Sequence, residues 1–108
     1  MDHNFDHERL DVYRVMRDVA VWAATVQVAR NRAHLRDQLV RAADSAVLNI
    51  AEGAGHPPGD TRRNHLRIAL GSAAETAAAV DLLRPRGFEA RLAALRRVGA
   101  MLAKMTRR

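Results

Sequence analysis

The segments Gln38–Gly53, QLVRAADSAVLNIAEG, and Leu66–Glu75, LRIALGSAAE, decide how this chain folds. Apolar residues recur in both at three- and four-residue steps, the period of an amphipathic helix. Leu35, Leu39, Ala42, Ala46 and Ile50 form one face, and Ala43, Val47 and Ala51 broaden it. Between the segments lies GAGHPPGD, in which Pro57 and Pro58 interrupt any helix. Gly53 and Gly55 offer left-handed C-cap positions without a Cβ penalty. The second segment therefore folds back on the first. Asp60 or Thr61 supplies its N-cap, and its core stripe runs through Leu66, Ala69, Leu70, Ala73, Ala77, Val80 and Leu83. Gly71 inside that helix costs about 1 kcal/mol relative to Ala, so a close helix crossing is expected there.

Upstream, Leu10, Tyr13, Met16, Ala20 and Ala23 form a helical stripe beside a second one, Val12, Val15, Val19, Trp22, Val26 and Ala29. Two stripes make a wide apolar face, more than one intramolecular partner covers, and they favour a homo-oligomer. Asp6 is the expected N-cap, Met1 to His7 is expected to be loosely held, and Trp22 reads as a core or interface anchor. The helix should end near Arg30, a length of ~35 Å at the standard rise. Downstream, Pro85 and Gly87 stop the third helix, and a fourth opens at Phe88 with Leu92, Leu95, Val98, Met101 or Leu102, and Met105 on its core side. The predicted helices thus span about 7–30, 33–52, 60–84 and 88–106 of a single domain, 1–108. Short connections between four helices, with no strand-like alternation, predict an all-α, antiparallel up-down-up-down four-helix bundle.

The formal charge of +6 and a pI near 11.3 favour association with polyanions. The absence of cysteine excludes disulfide frameworks and thiolate zinc sites. Aromatic residues make up 4% of the chain, too few to wall a small-molecule cavity readily. No apolar run approaches the ~20 residues that span a bilayer, and the acidic, polar start, MDHNFDHERL, is unlike a secretory signal. The cytoplasm is the expected compartment, with no membrane role.

Nothing in the sequence has the spacing of a catalytic centre. The histidines His3, His7, His34, His56 and His65 fall on a tail, helix starts and a loop, and none belongs to a helical zinc-protease motif. The carboxylates lack the Glu and Glu-x-x-His pattern of di-iron bundles. Ser45 and Ser72 have no neighbouring histidine motif to activate them, and GAGHPPG lacks the lysine and hydroxyl of a phosphate-binding loop. The expectation is a protein that is not an enzyme, with no cofactor and no metal.

Two sets of polar residues remain. Gln38, Ser45, Asn49 and Glu52 share a stripe with Ala42 on the second helix, and Arg67, Ser72 and Glu75 stand on the third. Buried unsatisfied polar groups cost ~1–3 kcal/mol, so these residues read as a structural seam that fixes register. Arg41 and Arg67 are candidate partners for Glu52, Glu75 or Asp44. The other set is basic: Arg30, Arg32, Arg36 and Arg41 near the start of the second helix, Arg62, Arg63 and Arg67 at the start of the third, Arg84 and Arg86 in the third connection, and Arg91, Arg96, Arg97 and Lys104 on the fourth, followed by Arg107 and Arg108. In an up-down bundle the first and third connections share one end, and the C-terminus lies at the other beside His56, Arg62 and Arg63. Such patches bind phosphate backbones without sequence preference, and their lack of aromatic residues argues against readout of single-stranded bases. The alternative is a protein–protein interaction scaffold whose charge serves solubility.

Three stretches carry a family likeness: LDVY (Leu10–Tyr13), QLVRAADSAVLNIAEGAG (Gln38–Gly55) and RIALGSAAE (Arg67–Glu75). Together they resemble the four-helix bundle proteins encoded in bacterial 23S rRNA intervening sequences. They are also similar to the Avd accessory protein of diversity-generating retroelements. The family pattern often has Ile-Pro before Asn-Ile-Ala-Glu-Gly and a basic residue after it. Here Ala46, Val47 and Leu48 precede the block, His56 follows it, and His65 or Leu66 replaces an early aromatic residue of the third helix. The resemblance implies a four-helix protomer that assembles into a barrel-like homopentamer with a positively charged surface. For the retroelement branch it implies binding to a reverse transcriptase and to RNA or DNA. It does not imply an enzyme.

Overall fold

A computed structural model describes residues 3–107 of the chain, and every regular element in it is helical. The helices are α1 (Asp11–Ala23), α2 (Ala33–Ala54), α3 (Asp60–Leu83) and α4 (Phe88–Met105), with 3-10 turns at Asp6–Arg9 and Arg30–Arg32. Each packs on the next in the chain, α1 also packs on α4, and α2–α3 is the most extensive interface. The result is a four-helix bundle. Its core is aliphatic: Met16, Val19, Leu39, Ala43, Ala46, Ile50, Leu66, Ala69, Val80, Val98 and Leu102 are fully buried or nearly so.

Contacts between α2 and α3 run in opposite sequence directions. Arg32 reaches Leu82, Ser45 meets Ser72, Asn49 meets His65, and Gly53 lies against Leu66. The first connection lies beside the third, where Thr25, Val26 and Gln27 share a cleft with Pro85 and Arg86. Met105, near the C-terminus, lies beside Pro58, Gly59, Arg62 and Arg63 of the second connection and the start of α3.

The first helix is much shorter than its apolar pattern predicts. It ends at Ala23 rather than near Arg30, a length of about 20 Å. At this end the backbone N–H and the hydroxyl of Thr25 both bond to the Trp22 carbonyl, at 2.8 and 2.7 Å. Beyond it Val26 turns into the core from a non-helical segment and is buried there. The N-terminal boundary differs too. Asp6 opens a 3-10 turn rather than capping α1, and Leu10 holds the N-cap position. That turn is braced, because Glu8 Oε1 accepts from Phe5 N at 2.8 Å and the Arg14 guanidinium donates to Glu8 O. The rings of His3, Phe5, His7 and Tyr13 also form a chain of contacts. Residues 3–7 thus have these contacts while none of them is buried; Met1 and Asp2, the rest of the expected loose tail, lie outside the described residues, as does Arg108.

Glycine roles also differ from expectation. Gly53 is inside α2 and Gly55 follows it with φ −77°, so neither forms a left-handed cap. A Cβ on Gly53 would stand 3.0 Å from Leu66 Cδ2 and 3.3 Å from the Arg62 carbonyl oxygen, so α2 and α3 approach tightly at this glycine. Gly71, by contrast, faces open space, and the close crossing expected there does not exist. The start of α3 is set by Gly59 at φ 153°, a region closed to L side chains, rather than by an Asp60 or Thr61 cap. At its end Arg84 takes the left-handed position at φ 47°, with Pro85 next in the chain.

Candidate nucleic-acid interface

The predicted polar seam is present at its centre and absent at its ends. Ser45 Oγ and Ser72 Oγ share a hydrogen bond of 2.9 Å across the α2–α3 interface. Asn49 Nδ2 donates to Ser45 O at 2.9 Å, and Asn49 Oδ1 lies 3.2 Å from His65 Nδ1. Thr76, which the stripe analysis omits, is the single fully buried polar side chain among the described residues, and its hydroxyl donates to Ser72 O at 2.7 Å. Gln38, Glu52, Arg67 and Glu75 are exposed and lie outside this network. Among the described residues no ion pair joins Arg41 or Arg67 to Glu52, Glu75 or Asp44, because both arginines point to solvent.

The basic residues do not act as one set. Arg32 Nη2 donates to Leu82 O at 3.0 Å, and Arg36 donates to Ala24 O and Val26 O at 2.9 and 3.3 Å. These two arginines brace the first connection with one and two hydrogen bonds, a part of each guanidinium's five donors, and Arg30 is exposed. Arg63 is paired with Asp60, and Arg62 lines a small cleft with Pro58, Gly59, Leu66 and Met105. On α4, Arg96, Arg97 and Lys104 are exposed, and no ion pair holds any of them among the described residues.

Arg91 and Arg97 of α4 and Arg86 of the third connection converge on α1. A groove of 380 Å³ runs between the helices, walled by Val15, Asp18, Val19 and Trp22 on one side and by Arg86, Arg91, Ala94 and Arg97 on the other. The Arg91 guanidinium lies 5.2 Å from the centre of the Trp22 ring, a cation–π contact that orients both groups. The one carboxylate in the groove, Asp18, is shared with Arg17 at 3.1 Å. Three guanidiniums facing one compensated carboxylate leave a net positive trough suited to a phosphate backbone. Sequence reasoning sets Arg86 in a basic third connection and Trp22 as a core or interface anchor, without joining the two. They sit far apart in the chain, and the packing of α1 on α4 unites them.

A second surface is apolar. Arg17, Ala20, Val21, Ala24, Asp44, Val47 and Leu48 line a groove between α1 and α2, where Val21 is 63% and Leu48 67% exposed. Single exposed aliphatics are ordinary, but here they share one trough.

The model of the 23S rRNA-intervening sequence protein family matches residues 8–104, which take in α1 to α3 and all of α4 but its last residue. The chain belongs to this family. Neither the curated proteins nor the solved structures compared with the chain gave a match. Family membership agrees with the likeness carried by Gln38–Gly55 and Arg67–Glu75, and the seam now gives those motifs a physical meaning. In this member of the 23S rRNA-intervening sequence proteins, Ser45 bonds to Ser72 and Asn49 to His65 across α2–α3, and Gly53 permits the close approach.

Proposed function

We propose that this protein is a non-enzymatic, basic, oligomeric four-helix bundle that binds RNA or another nucleic acid in the cytoplasm through the α1–α4 groove and the outer face of α4. The observation that carries the reading is the groove itself, where Arg86, Arg91 and Arg97 surround a single compensated carboxylate. Arg96 and Lys104 extend the same positive surface along α4. Contacts of this kind are made to phosphates and carry no sequence information. A family named for 23S rRNA intervening sequences makes RNA the first ligand to try, and a nucleic-acid-bound protein such as a reverse transcriptase is a further partner under the same proposal.

The exposed aliphatics of α1 and α2 support assembly, with the pentamer of the family likeness as the proposed state. The same apolar groove favours the second reading, a protein–protein scaffold with no nucleic-acid role. Binding of a fluorescent single-stranded RNA measured against salt separates the two. The nucleic-acid reading predicts a steep fall in affinity between low and high salt, and affinity unchanged by salt would overturn it.

A further inference from the structure

Glu52, His56 and His65 come together where the chain leaves α2 and returns on α3, although sequence spacing alone sets His65 apart from the other two. Each offers one donor atom to a cluster in which all three lie within 4.8 Å of one another. Glu52 Oε1 and His56 Nε2 are 3.9 Å apart, and the rings of His56 and His65 are parallel, with centroids 5.3 Å apart. Donors around a tetrahedral zinc ion stand roughly 3.3 Å from each other, given metal–ligand bonds of about 2.0–2.2 Å. The gap to that geometry is on the order of 1 Å. Imidazole lone pairs lie in the ring plane, so the parallel rings cannot meet at one ion as they stand, and binding requires His56, in the turn after α2, and the exposed Glu52 to rotate.

The third ligand is held in the right form by the seam. Asn49 Nδ2 donates to Ser45 O, which turns Asn49 Oδ1 toward His65. A carboxamide oxygen only accepts, so His65 Nδ1 must be the donor, and a neutral His65 keeps its lone pair on Nε2. Metal-binding histidines commonly have their second nitrogen fixed in this way. Two imidazoles and one carboxylate, with a position left for water, form a donor set that suits zinc.

We propose that Glu52, His56 and His65 form a binding site for a divalent transition-metal ion, with zinc the best fit, which clamps the turn between α2 and α3. This revises the expectation of a metal-free protein and is independent of nucleic-acid binding.

The test is calorimetric titration of the metal-stripped full chain with Zn²⁺, together with Co²⁺ absorption spectra. One zinc ion per chain is expected. Glu52→Gln and His56→Ala should each weaken binding at least tenfold, and Asn49→Ala should weaken it about 10- to 100-fold through loss of the fixed His65 tautomer. Both ligand substitutions lie at the surface, so helical circular dichroism should be unchanged. The His3→Ala, His7→Ala double variant controls for the N-terminal histidines and should bind as the parent does. The visible bands of four-coordinate Co²⁺ should vanish in His56→Ala. Absence of zinc uptake, loss of uptake in the tail variant, or affinity within threefold of the parent in both Glu52→Gln and His56→Ala would each overturn the proposal.

Discussion

Substituting alanine for two glycines of the bundle should give opposite results, and the structure sets the sign of each. Gly71 lies inside α3, is exposed, and has open space where a Cβ would go. Gly71→Ala should therefore gain most of the ~0.8–1 kcal/mol difference in helix propensity. Gly53 is buried inside α2 and gains the same propensity, but its Cβ would stand 3.0 Å from Leu66 Cδ2, 3.1 Å from Leu66 Cγ and 3.3 Å from Arg62 O. Leu66 is itself almost wholly buried and the Arg62 carbonyl is backbone, so neither yields freely. Overpacking of this kind costs about 1–3 kcal/mol, which outweighs the propensity gain and leaves Gly53→Ala destabilised by up to ~2 kcal/mol. Urea unfolding at fixed protein concentration is the assay, because any oligomer makes apparent stability concentration-dependent. At roughly 4–8 °C per kcal/mol for a domain of this size, the two variants should also move in opposite directions by heat. If Gly53→Ala stabilises the protein as much as Gly71→Ala does, the tight α2–α3 approach is refuted.

Three further outcomes follow from the packing. Ser45→Ala and Ser72→Ala should each cost about 1 kcal/mol, and the double variant should cost less than their sum by ~0.5–1.5 kcal/mol in a double-mutant cycle; full additivity would mean the two hydroxyls do not pair. Arg36→Ala should lose about 1.5–3 kcal/mol in urea unfolding, through two charged hydrogen bonds to Ala24 O and Val26 O. It should leave the salt dependence of RNA binding unchanged, and a reduced salt slope would show this guanidinium to be a phosphate contact after all. Leu48→Glu should leave the helical signal intact and lower the mass seen by light scattering to that of the monomer, and an unchanged oligomer would move the interface elsewhere.

Much of this fold is legible in the sequence because its signals are local. The periods of α2, α3 and α4, and the breaks at Pro57–Pro58 and Pro85, need only neighbouring residues to act. The end of α1 is not legible in that way. Val26 and Ala29 continue the apolar period, yet Thr25 turns back on Trp22 O and Arg36, ten residues beyond Val26, takes the carbonyls of Ala24 and Val26. Glycine roles were inverted for the same reason: whether Gly53 or Gly71 marks a close approach depends on what stands opposite, which one helix cannot reveal. The seam was half legible. Ser45, Asn49 and Ser72 follow from helical spacing, whereas His65 and Thr76 join only once α3 lies in register on α2. Arg32 and Arg36 look like surface charge by composition and turn out to be braces, while Arg86 gains its place opposite Trp22 from the α1–α4 contact.

The most direct test of the account is the salt slope of RNA binding, read from the protein's single tryptophan. Trp22 lies in the α1–α4 groove beneath Arg91, so its fluorescence should change when a phosphate backbone enters. For a single strand, log K should fall against log salt with a slope of about −0.7 per phosphate neutralised. Replacing Arg96 and Arg97 together with alanine should then flatten the slope by about 1.4 while the helical signal stays unchanged. A parent protein that shows no fluorescence change and no salt-dependent retention of RNA would contradict the central claim.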